Sequence, residues 1–253
     1  MVREIFRQLP QESVLYLGDT ARVPYGPRGL DTIQRFSREL AEFLLARAVK
    51  ALVIACNTVS ATAADAIREI SPVPVFDVVQ PTVRTAVAAT RSRRIGIIGT
   101  VSTVRSDVYG RLAAALDPEV QVIGQPCPLF VPIAEENLQS HPVARMMADE
   151  YLRCFAGTGI DTLILGCTHY PLLSDVIAES VSKVVGGPVH LVDSAEPTVG
   201  ELAAFLSAEG KLADGPPLHR FFVTDSSYRF MQIAASILGR DVAAAVAEAR
   251  LVR

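Results

Sequence analysis

Short runs rich in valine, isoleucine and leucine recur along this chain, at 13–17, 51–55, 73–76, 95–99, 119–123, 162–166, 189–192 and 220–224. Between them lie segments whose apolar residues return at helical spacing. Runs this short and this continuously apolar, flanked by helical patterns, mark strands buried on both faces of a parallel sheet. Over 31–50, Ile33, Phe36, Leu40, Phe43 and Leu44 share one helix face, and Arg35, Arg38, Glu39 and Glu42 share the polar one. Residues 58–70 predict a helix stopped before Pro72, and 142–155 another with Pro142 in its first turn. The late run at 220–224 is followed by a further helical segment, 226–238. Strand and helix in alternation predict an α/β protein of mainly parallel sheets flanked by helices.

Half of the 253 residues are hydrophobic, enough for one large core or for two of roughly 100–150 residues each. The net charge is -3, without a basic cluster, which speaks against nucleic acid as a partner. Four cysteines without a CxxC pair do not make a disulfide framework. No apolar stretch approaches the ~20 residues of a membrane span. The first residues, Met-Val-Arg-Glu-Ile-Phe-Arg-Gln, carry no signal-peptide core. The expectation is a soluble, cytoplasmic protein with free thiols.

Two of the cysteines close apolar runs and are followed at once by small polar residues. One reads Ala55-Cys56-Asn57-Thr58, the other Leu165-Gly166-Cys167-Thr168-His169. The carboxyl ends of parallel strands are where open α/β sheets bind ligands. Two such thiols suggest facing half-sites within an internal duplication. A substrate centre flanked by two thiols can lose a proton on one face and regain one on the other, which inverts it. A cysteine pKa near 8.5 lies close enough to neutrality to be tuned for both roles. Asn57, Thr58, Thr168 and His169 would bring hydrogen bonds to the substrate, and His169 could assist Cys167.

Other chemistries compete for the same residues. A lone cysteine is usually a core residue, the reading kept for Cys127 and Cys154. Cys56, Cys167 and His169 are usable zinc ligands without a paired-ligand spacing, so no metal is expected. A Cys-His nucleophile would leave one thiol idle. No GxGxxG or P-loop is present.

The two cysteine motifs, with Gly18-Asp-Thr-Ala-Arg-Val-Pro-Tyr-Gly26 and Cys127-Pro-Leu-Phe-Val-Pro132, resemble the glutamate racemases of the cofactor-independent Asp/Glu racemase family. The resemblance covers almost the whole chain. It implies two pseudo-symmetric α/β domains with the active site in the cleft between them, residues 1–80 plus 190–253 forming the first and 81–189 the second. It implies interconversion of L- and D-glutamate for peptidoglycan synthesis, with Cys56 as the base for the D-enantiomer and Cys167 for the L-enantiomer. Tyr25, Gly26, Asn57, Thr58, Thr168 and His169 match the family's substrate-binding pairs. Glu135, or Glu136 beside it, matches the acidic residue supporting the second thiol. Thr100 and Thr103 are candidates for the substrate carboxylate or for helix caps, and Asp19 for a turn. The resemblance further implies no pyridoxal phosphate, metal or nicotinamide, and a homodimer. Aspartate or hydantoin racemisation is the alternative within the family, and a poorly active binding protein the alternative outside it. The family's chains open with a strand ending in Asp-Ser-Gly-x-Gly-Gly, which the sequence read from Met1 does not contain. The expectation is therefore unpaired strand edges in the first domain and impaired turnover by this chain.

Overall fold

The structure, a computed structural model, describes residues 1–225, 228–239 and 246–251. The chain runs α1 (Val2–Gln8), β1 (Leu15–Gly18), α2 (Leu30–Leu45), β2 (Leu52–Ile54), α3 (Asn57–Ile70), β3 (Val75–Asp77), α4 (Val79–Ala89), β4 (Arg94–Gly99), α5 (Val101–Arg105), α6 (Val108–Leu116) and β5 (Gln121–Pro126). It continues α7 (Phe130–Glu135), α8 (Pro142–Leu152), β6 (Thr162–Gly166), α9 (Ser174–Val185), β7 (His190–Asp193), α10 (Ala195–Ala208), β8 (Arg220–Val223), α11 (Tyr228–Leu238) and β9 (Val246–Glu248). All eight expected strands are present, and every strand pairing is parallel.

The best-buried unit is the four-stranded sheet β5-β4-β6-β7. Successive residues of its two central strands serve opposite faces, as the two-residue period of a strand requires. Ile98, Leu163 and Leu165 pack with Phe130, Leu152, Phe155 and Ile177 on one side. Ile95, Ile97 and Ile164 pack with Val79, Val83, Tyr109 and Val192 on the other. Helices α8 and α9 cover the first face, α4 and α6 the second. The remaining strands form two smaller sheets, β1-β8-β9 and β2-β3. Among the described residues, β1 and β2 thus each keep an edge without a strand partner. Helix α2 packs its apolar face, Ile33, Phe36 and Ala41, with Ile54, Ala63 and Ile67 of the β2–α3 unit. Glu12, just before β1, meets Lys50, just before β2, at 2.7 Å.

Some expected boundaries move. The helix expected over 31–50 ends at Leu45. Ala48 takes a left-handed backbone (φ 53) and the chain turns, which brings Lys50 onto Glu12. The helix expected over 142–155 is α-helical to Leu152 and closes with a 3-10 turn, Arg153–Phe155, that buries Phe155. Residues 226 and 227 of the expected helix 226–238 lie outside the described residues. The expected domain limits also cut through elements: 80/81 falls within α4, and 189/190 would part β7 from β6, to which it is paired.

The Asp161 carboxylate ties the segment before β4 to the start of β6. It accepts from the Thr90 hydroxyl and from the backbone N–H groups of Arg91 and Ser92, the latter two at 2.7 Å. Burial alone would raise its pKa, but these hydrogen bonds outweigh it and hold the group at about 2, below the ordinary 3.8. A carboxylate lowered in this way stabilises the fold above its unfolded pKa and loses that contribution as pH falls through its folded value. Asp161→Asn is therefore expected to be less stable than wild type in urea unfolding at pH 7. The difference should shrink between about pH 4 and pH 2.

Candidate active site

Cys56 stands at the carboxyl end of β2 and at the N-cap position of α3, so first-turn N–H groups point toward it. Burial raises its pKa, and the charge of Cys167 adds to that rise. The backbone N–H groups of Val59 and Thr58 and the Thr58 hydroxyl oppose both. The two thiols, far apart in sequence, are thus close enough for one charge to be felt at the other. Cys167 follows β6 directly and is buried. Its strand comes close to β4 because residue 166 is glycine: a Cβ there would stand 2.7 Å from the carbonyl oxygen of Ile98.

Beside Cys167 the side chains form a chain of contacts. Its Sγ lies 3.7 Å from His169 Nδ1, and His169 Nε2 lies 3.2 Å from Glu135 Oε1 at the end of α7. It is Glu135, of the two adjacent glutamates, that makes this ion pair. Burial disfavours the imidazolium, but hydrogen bonding and charge from Cys167 and Glu135 outweigh it and bring His169 up to about 9. Thr168 is exposed, its hydroxyl 3.5 Å from the same His169 nitrogen.

Three hydroxyls meet on the Cys56 side. Thr58 Oγ1 lies 2.9 Å from Thr100 Oγ1 and 3.2 Å from Thr103 Oγ1, which are 3.0 Å from each other. Thr100 also caps α5, accepting from Thr103 N at 3.2 Å, which is one of the two roles expected for it. Asn57, only 2% exposed, donates from Nδ2 to Tyr109 Oη at 2.9 Å and to Ser194 Oγ at 3.0 Å, while its Oδ1 has no partner among the described residues.

The Tyr25–Gly26 segment links the two halves. Gly26 accepts at its carbonyl from Ser102 Oγ at 2.6 Å, and a Cβ at residue 26 would meet Thr100 at 2.8 Å. Asp19 does more than shape a turn. Its buried carboxylate accepts from Tyr25 Oη, from Arg22 Nε at 2.7 Å and from Thr224 Oγ1 at 2.8 Å. Burial and then the Asp19 hydrogen bond keep the Tyr25 phenol protonated.

Cys127 and Cys154 stand apart from this chemistry. The Cys127 thiol donates to Gln125 O at 3.5 Å in the core, and Cys154 is exposed on the 3-10 turn after α8. Among the described residues no three His, Cys, Asp or Glu side chains are grouped as metal ligands, and no helix is long and apolar enough to cross a membrane. The sequence reading missed Tyr109, Ser194, Ser102 and Arg22. For Ser194 a signal was available, since it follows Val192-Asp193 at the end of β7 as the cysteines follow theirs. Tyr109 in an apolar helix face reads only as core.

A parallel α/β protein with two thiols at strand ends, and hydroxyl and amide groups beside them, holds the kinds of group that an enzyme acting on a small polar substrate uses. Comparison with known proteins narrows this. The family described as Asp/Glu/hydantoin racemase matches residues 1–202, and the chain belongs to it. The glutamate racemase of Syntrophus aciditrophicus strain SB is 46% identical over 244 residues, spanning 96% of this chain and 89% of the relative. The crystal structure of glutamate racemase isoform RacE1 from Bacillus anthracis superposes with a TM-score of 0.92 at 39% identity, covering 99% of this chain and 92% of that one. The Francisella tularensis glutamate racemase in complex with D-glutamate gives a TM-score of 0.90 at 34% identity, with 98% and 92% covered.

The His169 contacts give a prediction. With its pKa raised to about 9, the imidazolium persists through neutral pH and is lost only as pH rises through that value. Removing one of the charges that raises it, as in Glu135→Gln, should lower the His169 midpoint by on the order of 1 unit. An NMR titration of the imidazole would show it, and an unmoved midpoint would count against the coupling.

Proposed function

We propose that this chain interconverts L- and D-glutamate by a two-base mechanism, with Cys56 and Cys167 as the bases on opposite faces of the substrate Cα. The observation that carries the reading is a pair of thiols that each follow a buried strand, with the charge of Cys167 felt at Cys56. One thiolate takes the Cα proton, leaving a carbanion delocalised into the carboxylate. The opposite thiol then donates its own proton to the other face. The thiol and thiolate states are exchanged, and the centre is inverted. The next turnover runs in the reverse direction or follows proton exchange with solvent.

The supporting groups divide by side. On the Cys167 side, His169 held by Glu135 is placed to stabilise the thiolate, the form that attacks the L-enantiomer. On the Cys56 side, the first-turn N–H groups of α3 and the Thr58 hydroxyl have that task for the D-enantiomer. Thr58, Thr100, Thr103 and Thr168 offer hydroxyls to the substrate carboxylates, and Tyr25 and Gly26 close the site over them. The relatives named above are called glutamate racemases, and one is described in complex with D-glutamate. These names support glutamate over aspartate or hydantoin. The domains in this reading are residues 1–77 with 194–251, and 78–193, which keeps every paired strand whole. Assembly as a homodimer and a cytoplasmic role in supplying D-glutamate for peptidoglycan belong to the same reading.

Cys56→Ala and Cys167→Ala are each expected to lower kcat/KM for glutamate racemisation about 10²–10⁴-fold in both directions, the range of a lost general base or acid. Polarimetry from either enantiomer measures it, with aspartate and hydantoins as parallel substrates. Full racemisation by either variant would defeat the two-base reading, and a preference for another substrate would reassign the specificity.

A further inference from the structure

Tyr170 follows His169 directly and opens the 3-10 turn Tyr170–Leu173. Its backbone N–H donates to the carbonyl of Cys167 at 3.1 Å, which closes the turn that carries His169. Its phenol donates to the carbonyl of Cys127 at 2.7 Å. A carbonyl oxygen only accepts, so the direction of this bond is fixed. The same oxygen accepts from the N–H of Phe130, the first residue of α7, at 3.1 Å. One carbonyl thus joins the start of α7 to the turn after the Cys167 thiol. The side chains repeat the connection, since the Tyr170 and Phe130 rings meet edge to face at 5.4 Å between centroids and both residues are fully buried.

The two connected segments carry the two partners of one ion pair. The turn holds His169, α7 ends at Glu135, and His169 Nε2 lies 3.2 Å from Glu135 Oε1. Helix α7 has only 6 residues, too few to be stable by itself in water, so the place of Glu135 depends on what its helix is fixed to. Cys127 is itself tied to the central sheet, its N–H donating to Gly99 O at 2.8 Å. Any buried tyrosine needs an acceptor for its hydroxyl. Here the acceptor lies on the segment that leads into the helix of Glu135.

We propose that Tyr170 is a positioning residue for the thiol of Cys167: its hydroxyl, through the Cys127 carbonyl, sets α7 against the turn after β6 and so keeps Glu135 on His169. This rests on the proposal that His169 supports the Cys167 thiolate in racemisation. The groups facing His169 are the Cys167 thiol, the Thr168 hydroxyl and the Glu135 carboxylate. Cys167 and Thr168 belong to the same segment as His169, so a loosened α7 withdraws Glu135 alone. Burial first, and then the charges of Cys167, Cys127 and Tyr151, raise the Tyr170 phenol well above its ordinary pKa, so it stays a donor while His169 titrates.

Tyr170→Phe removes the hydroxyl and keeps the ring. The Cys127 carbonyl retains its bond from Phe130, so no buried polar atom is stranded and the variant is expected to fold, which thermal unfolding checks. Tyr170→Met, a second variant without the hydroxyl, is measured alongside. The His169 imidazole is titrated by NMR in the wild type, in Tyr170→Phe, in Glu135→Gln and in the double variant. The expected result is a midpoint lowered by on the order of 1 unit in Tyr170→Phe, and a double variant no lower than Glu135→Gln alone. A wild-type midpoint in folded Tyr170→Phe would overturn the proposal. A double variant lowered by both single shifts together would also overturn it, because the phenol would then act on His169 by another route. Racemisation measured in parallel is expected to lose about tenfold in kcat/KM in both directions with Tyr170→Phe. A lowered midpoint beside an unchanged kcat/KM would remove the positioning role. If the wild-type chain did not racemise glutamate, the titrations would still decide whether Tyr170 holds Glu135 on His169, so the two readings fail separately.

Discussion

Much of the structure depends on how closely β4 and β6 approach. The two strands form the centre of the best-buried sheet, and their paired ends, Gly99 and Gly166, lack side chains where the backbones converge. A Cβ on residue 166 would press on the carbonyl of Ile98, and one on residue 99 would stand 3.2 Å from Gly166 O. The small residues let the strands run in register to their last residues, and at that point the chain delivers Cys167 from one strand and Thr100 from the other. Thr100 then reaches Thr58 of the opposite half. Close packing at the sheet centre thus sets where the polar groups of both halves meet.

The fold was legible because its strands are continuously apolar and its helices are two-faced, two patterns that survive in any parallel α/β protein. What was lost is instructive. The end of α2 could not be read at Leu45, because the turn there answers to a distant carboxylate, Glu12, that draws Lys50 to it. Strand β9, Val246–Glu248, lies in an alanine-rich stretch with no strand character of its own and exists by pairing with β8. Tertiary pairing decided its conformation against composition.

The candidate site was legible to the extent that its residues sit at strand ends with distinctive chemistry. Cys167 meets His169, and Thr58 meets Thr100 and Thr103, all of them residues that the sequence singled out. The choice between Glu135 and Glu136 needed the geometry, since adjacent glutamates look alike until one of them meets His169. Tyr109 was hidden for a different reason. Its ring belongs to an apolar cluster and only its hydroxyl belongs to the site, so the residue type gives away the first role and conceals the second.

The two thiols rest on foundations of different kinds. Cys167 grows from the middle of one continuous four-stranded sheet, hydrogen-bonded on both sides. Cys56 grows from a two-stranded ribbon whose outer edge faces no strand among the described residues, and whose ties to the neighbouring β1 include α2 and the Glu12–Lys50 bridge. Among the described residues, the strand that delivers Cys167 is held by backbone hydrogen bonds along both of its edges, and the strand that delivers Cys56 along one. In the two-base reading, the two faces of one substrate would then meet supports that are built unequally.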